Sequence, residues 1–170
     1  MKKKQKTKLF TIIGIIAVIL LSGIVFIVSN NEEIPFQTYT DIILTTLDNQ
    51  NIRLSEYEGK PIILQTMASW CTSCLLQAEE LKKVQKIHPE AVIISVDIDT
   101  RRDTITTVNS FKEQAQANWL FTLDSLNEFV TKYNIQSLDT TIVINKKGEI
   151  ILRDDKITSV NTITGVLKNE

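Results

Sequence analysis

At 170 residues, with 43% hydrophobic and 23% charged side chains, the chain has room for one globular domain of ordinary composition and a further segment. Of its 19 basic residues five lie before residue 9, leaving 14 against 20 acidic ones, and that acidic remainder excludes a nucleic-acid partner. Two cysteines and one histidine also fall short of the four ligands of a structural zinc site.

Lys2, Lys3, Lys4, Lys6 and Lys8 precede Leu9 to Val28, a run without a single charge. About 20 apolar residues at ~1.5 Å each match the ~30 Å hydrocarbon core, so 9–28 reads as one transmembrane helix. The apolar run continues into Ser29-Asn30-Asn31 with no Ala-x-Ala site, as an uncleaved signal-anchor does. The positive-inside rule keeps 1–8 cytoplasmic and places the rest outside the membrane, as a linker (29–35) and a domain (36–170). Such compartments permit disulfides that the cytosol would reduce.

Ile42-Ile43-Leu44 and Ile52-Arg53-Leu54 flank the polar turn Asp48-Asn49-Gln50-Asn51 as a β-hairpin, and Ser55-Glu56-Tyr57 suits one helical turn. Gly59-Lys60-Pro61 punctuates before a buried strand from Ile62 to Gln65. Leu75, Ala78, Leu81, Val84 and Ile87 then recur at helical spacing until His88-Pro89. Ala91 to Ile98 is apolar enough for a strand inside a parallel sheet, which makes a βαβ unit. A helix capped by Asp103 runs to about Ala117, Trp119 to Leu123 forms a strand, and Asp124 or Ser125 starts a helix ending near Tyr133. Thr140–Asn145 and Glu149–Arg153 make a hairpin across Lys146-Lys147-Gly148, and Ser159 to Lys168 a closing helix.

The only cysteines stand in Trp70-Cys71-Thr72-Ser73-Cys74, at the junction of strand and helix. Such a pair is half of a metal site, a reversible dithiol, or two inert core residues. His88 lies fourteen positions beyond Cys74, roughly 20 Å along one helix, which argues against an intramolecular zinc knot. The junction favours the dithiol: free N–H groups and the dipole at a helix start stabilise a thiolate at Cys71, the attacking sulfur. Cys74, one turn on, is placed to resolve the mixed disulfide. His88 reads as a solvent-facing helix cap and Arg101-Arg102 as a solvated pair.

Leu54-Ser55-Glu56-Tyr57-Glu58-Gly59-Lys60-Pro61, followed by Met67-Ala68-Ser69-Trp70-Cys71, resembles the membrane-anchored TlpA/ResA-type thioredoxins. Tyr133-Asn134-Ile135-Gln136 leading into Thr140 to Gly148 resembles them too. The resemblance implies an α/β thioredoxin fold with an N-terminal β-hairpin extension. It also implies extracytoplasmic thiol-disulfide exchange through Cys71 and Cys74 on protein substrates, with no cofactor beyond that redox-active disulfide; the anchor makes a membrane electron donor the natural source for recharging it. Trp70 and the loop before Thr140 would shape the docking surface.

Four positions depart from the family pattern. The dipeptide between the cysteines is Thr72-Ser73, without proline; Gln65 and Gln77 stand where the family often has acids; and Asp139 aligns with the cis-proline that faces the dithiol. A cis bond before a non-proline residue costs about 3 kcal/mol, so the Leu138–Asp139 peptide is expected to be trans. Asp139 is thus a proton acceptor for the thiols, a like charge opposing them, a metal ligand or a loop residue in water. The alternative function is copper handling, with Cu(I) held by Cys71, Cys74 and Met67 or Asp139. The lost proline and the nearby carboxylate lean toward a reductant.

Overall fold

A computed structural model describes residue 39 and residues 41–168. The predicted transmembrane segment 9–28 and its linker lie outside the described residues, and no helix among the described residues is long and apolar enough to cross a membrane.

Seven strands form one mixed sheet in the order β2-β1-β5-β4-β3-β6-β7. They are β1 (Ile43–Thr46), β2 (Asn51–Arg53), β3 (Ile62–Met67), β4 (Val92–Asp97), β5 (Leu120–Leu123), β6 (Thr141–Ile144) and β7 (Ile150–Asp154). The centre is parallel, β3 against β4 and β4 against β5, whereas β1, β6 and β7 join antiparallel. Helices α1 (Thr72–Ile87), α2 (Ile105–Gln114), α3 (Glu128–Lys132) and α4 (Val160–Leu167) complete the layers.

Strand alternation divides the core in two. Ile63, Met67, Ile93, Phe121 and Val143 pack with Ala78, Leu81 and Val84 of α1, Val108 and Phe111 of α2, and Ile163 and Leu167 of α4. Ile62, Leu64, Ile94, Val96, Ile142 and Ile144 form a second cluster with Leu54 and with Phe129 of α3. Burial on both faces explains the run Ile62-Ile63-Leu64 of β3 and the near-continuous apolar run of β4. The expected hairpin is β1–β2, closed by Asn49 in the left-handed region (φ 63°), and a 3-10 turn follows at Leu54–Tyr57. At the β6–β7 turn Gly148 has φ 81°, and a Cβ there would meet the Tyr39 ring at 3.0 Å.

Three expectations need correction. Thr104, not Asp103, caps α2, its hydroxyl accepting from Thr107 N, because the Asp103 carboxylate is drawn to Ser69 instead. Helix α3 starts at Glu128 rather than Asp124 or Ser125; the Asp124 carboxylate reaches forward to accept from Phe129 N and Val130 N. His88 does stop α1 through its backbone N–H to Val84 O, yet its ring is largely covered and its Nδ1 bonds Glu90.

Candidate active site

Strand β3 delivers the chain to the cysteines and α1 begins between them. Cys71 is the N-cap of α1, in extended backbone (φ −83°, ψ 107°), and its sulfur accepts a hydrogen bond from Cys74 N at 3.1 Å. Sulfur thus takes the place that a Ser or Asp oxygen occupies at an ordinary helix start. The two cysteines form a disulfide and both are buried. The Ser73 hydroxyl stands 3.4 Å from Cys71 Sγ, where it supplies a second donor to a thiolate. Cys74 Sγ lies 3.5 Å from Leu138 O, an acceptor for the thiol of the reduced form.

Both glutamines are fully engaged as amides. Gln65 Nε2 donates to Cys74 O at 3.1 Å, while its Oε1 accepts from Ser95 Oγ, which in turn accepts from Trp119 Nε1. Gln77 points away from the sulfurs' chemistry: it donates to Thr158 O and accepts from Thr158 N at 2.6 Å, fastening α1 to the segment before α4. Beside it Glu80 accepts from Val160 N, and the bonds from Lys83 and Val160 hold its pKa below the usual glutamate value.

Opposite the pair runs the loop 137–140. Thr66 and Thr140 pin it to the end of β3, Thr66 N to Thr140 O and Thr140 N to Thr66 Oγ1, both 2.9 Å. Thr140 is therefore a buried fastener, with its own hydroxyl on Asp155, and presents nothing to a substrate. No peptide among the described residues is cis, so the Leu138–Asp139 bond is trans as expected. Asp139 Oδ1 is buried without a hydrogen-bond partner, and a carboxylate oxygen of Asp139 and the sulfurs of Cys71 and Cys74 all lie within 4.8 Å of one another. Met67, the other suggested soft ligand, is a fully buried member of the apolar cluster around the cysteines.

A disulfide at a helix start on a thioredoxin-like sheet leaves the family to be decided, and the redoxin family model matches residues 29–166. The chain belongs to the redoxin family. It is 26% identical over 156 residues to the thiol-disulfide oxidoreductase ResA of Geobacillus kaustophilus, covering 88% of this chain and 87% of that one. It is 24% identical over 110 residues to the sporulation thiol-disulfide oxidoreductase A of Bacillus subtilis, 64% of this chain and 66% of that one. Among solved structures it resembles a thioredoxin-like protein from Aeropyrum pernix (TM-score 0.68, 23% identity, 76% of this chain and 89% of that one). StoA from Bacillus subtilis shares the fold as well (TM-score 0.63, 20% identity, 78% and 98%). This redoxin is a TlpA/ResA-type protein thiol-disulfide oxidoreductase with Cys71 and Cys74 as its Cys-x-x-Cys pair.

In this redoxin a group of aspartates after β4, which sequence reasoning missed, braces the approach to Cys71. Asp103 accepts from Ser69 N at 2.6 Å and from the Ser69 and Thr107 hydroxyls. Asp99 accepts from Trp70 Nε1 at 3.0 Å, and Arg102 stacks over the same indole, 5.6 Å from its centroid. Trp70 stays 53% exposed, so it is surface and not core packing. Asp97, fully buried at the end of β4 and opposite Met67 in register, bonds Asp99 N through Oδ1 but leaves Oδ2 without a partner. Burial pushes its carboxyl up to about 7; the Asp99 N–H opposes this in part, and the charges of Asp103 and Asp99 add to it. The available signal was acids at the carboxyl end of the parallel strand beside β3, where α/β sheets gather their functional groups.

Proposed function

We propose that this redoxin is a membrane-tethered, extracytoplasmic reductant of protein disulfides. The observation that carries the exchange chemistry is Cys71 Sγ at the N-cap of α1, bonded to Cys74. In the reduced enzyme the Cys71 thiolate attacks a substrate disulfide, releasing one substrate thiol and leaving a mixed disulfide. The Cys74 thiol loses its proton and attacks Cys71 Sγ. The enzyme ends as the disulfide, and the substrate leaves as two thiols. Trp70 and the loop 137–139 flank the pair and form the docking surface for the substrate chain.

Asp139 supports this direction. A carboxylate near both sulfurs opposes a thiolate at either one, which disfavours the reduced form and makes the pair a better electron donor. The tether is the uncharged stretch Leu9–Val28 behind five lysines, with 1–8 cytoplasmic, 29–35 a linker and 36–170 the outer domain. A membrane electron donor recharges the disulfide.

Turnover of a protein disulfide by the reduced chain should fall at least 100-fold in Cys71→Ser; retained turnover sinks the assignment. Equilibration with glutathione should give a potential below about −230 mV, and a value near the ~−120 mV of strong oxidants reverses the direction. For the tether, a membrane-impermeant maleimide should label the cysteines of reduced, intact cells. Labelling only after lysis rules out an outer domain.

A further inference from the structure

We propose that the reduced pair, together with Asp139, is a site for a thiophilic divalent cation of the zinc class, and that the disulfide excludes the ion. The inference rests on Cys71 and Cys74 being a reversible dithiol but not on the direction of exchange or on the tether. Three donor atoms, the two sulfurs and one Asp139 oxygen, already lie within 4.8 Å of one another. Around a tetrahedral zinc, with Zn–S near ~2.3 Å and Zn–O near ~2.1 Å, such donors stand ~3.6–3.8 Å apart. Opening the S–S bond frees the two sulfurs to separate toward that spacing.

The carboxylate is held ready for a positive partner. Asp139 Oδ1 is removed from solvent and accepts no hydrogen bond, which leaves a buried acceptor without a partner. Its loop is fixed on both sides, by Asp139 N to Ser137 Oγ at 3.1 Å and by the paired Thr66 and Thr140 bonds, so the donor is positioned before any ion arrives. Reduction adds two sulfurs that ionise beside this carboxylate, and a dication relieves the repulsion that results. Neither glutamine competes, because Gln65 and Gln77 are committed to Cys74 O, Ser95 and Thr158.

The donor set also selects the ion. Thiolates with the Met67 thioether would suit Cu(I), the alternative read from the sequence, but Met67 is buried in the apolar cluster, and a carboxylate oxygen as third ligand shifts the preference to zinc, which takes both kinds of donor. Three protein ligands leave a fourth position for water or a substrate group, so this is not the closed four-ligand knot that the residue counts exclude. The dithiol binds the ion and releases two protons. When the loaded site meets a substrate disulfide, two protons are taken up, the substrate leaves as two thiols, Cys71 and Cys74 close their S–S bond, and the ion departs with its charge unchanged. Metal and disulfide therefore compete for the same electron pairs.

The full chain, reduced by a phosphine under nitrogen, is titrated with Zn2+ and separately with Co2+. The expected result is one ion per chain with submicromolar affinity, thiolate-to-cobalt charge-transfer absorption, and no binding by the oxidised chain. Asp139→Asn should weaken zinc at least 10-fold, and each tenfold of free zinc above the Kd should raise the apparent reduction potential by about 30 mV. Equal affinity in Asp139→Asn, binding by the oxidised chain, or zinc affinity weaker than about 10 micromolar overturns the proposal. So does a strong Cu(I) complex indifferent to Asp139 when zinc fails to bind. Turnover measured with a chelator present reports separately on exchange, so its loss would count against the enzyme reading and not against the metal site.

Discussion

On one flank of the disulfide, the Ser69–Trp70 turn hangs from Asp103 and Asp99, whose carboxylates accept from Ser69 N, the Ser69 and Thr107 hydroxyls and the Trp70 indole. On the other, the loop 137–140 is fastened by Thr66 and Thr140, and the carboxylate it carries keeps an oxygen with no partner. Both flanks are rigid, but the acids beside the first are its braces, whereas Asp139 takes no part in holding its own loop, which hangs from Thr66, Thr140 and Asp155. A carboxylate with its lone pairs filled by backbone and side-chain donors is structural, whereas Asp139, held by its neighbours and unfilled itself, is free to act on the sulfurs.

The hardest blow to this contrast falls on the braced flank. Asp103→Ala leaves Ser69 N without its partner and should cost about 2–3 kcal/mol, read from urea denaturation. A loss under ~0.5 kcal/mol would mean that the acid is ornamental. Next is Asp97, whose carboxyl titrates near 7 in the fold and near its ordinary 3.8 when unfolded. Below about pH 4 it is neutral in both states, and from there to about 7 the folded chain retains a proton that the unfolded chain has lost. Stability therefore falls across that window and levels off above it. A shift from 3.8 to about 7 corresponds to at most ~4 kcal/mol, so even with half of it lost to relaxation Asp97→Asn should be more stable than the parent by ~2 kcal/mol at pH 8, with the advantage fading to nothing by pH 4. A pH-independent difference would assign the effect to packing.

Two smaller effects probe the sulfurs and the free flank. Ser73→Ala removes a donor to Cys71 Sγ and should slow alkylation of the reduced chain at neutral pH by about two- to threefold. Asp139→Asn should not lower the unfolding free energy, because its carboxylate oxygen Oδ1 gives up no bond and the buried charge is removed. A large loss there would place Asp139 with the bracing acids and erase the contrast.

How much of this could be read beforehand depended on sequence distance. The β3–α1 junction, the cysteine pair and the β6–β7 hairpin were legible because each rests on neighbours within one turn or one strand. Asp139 was legible only through the family resemblance, since nothing local to Ser137-Leu138-Asp139-Thr140 announces that it faces a dithiol. The acid brace was not legible at all: Ser69 meets Asp103, and Trp70 meets Asp99, across a whole βαβ unit, so Asp103 was read as a helix cap instead. Gln77 was noticed for the acid it lacks, while its actual bonds, to Thr158, belong to a different problem of holding the last helix.

That last attachment bears on how the protein is made. Gln77 and Glu80 reach backbone groups at Thr158 and Val160, about eighty positions downstream. A ribosome that has already released the cysteines must add half the chain again before the helix carrying them gains its lid. In that interval the sulfurs ride on an unfinished platform, open to mispairing with any other thiol, and late contacts of such span are slow to form.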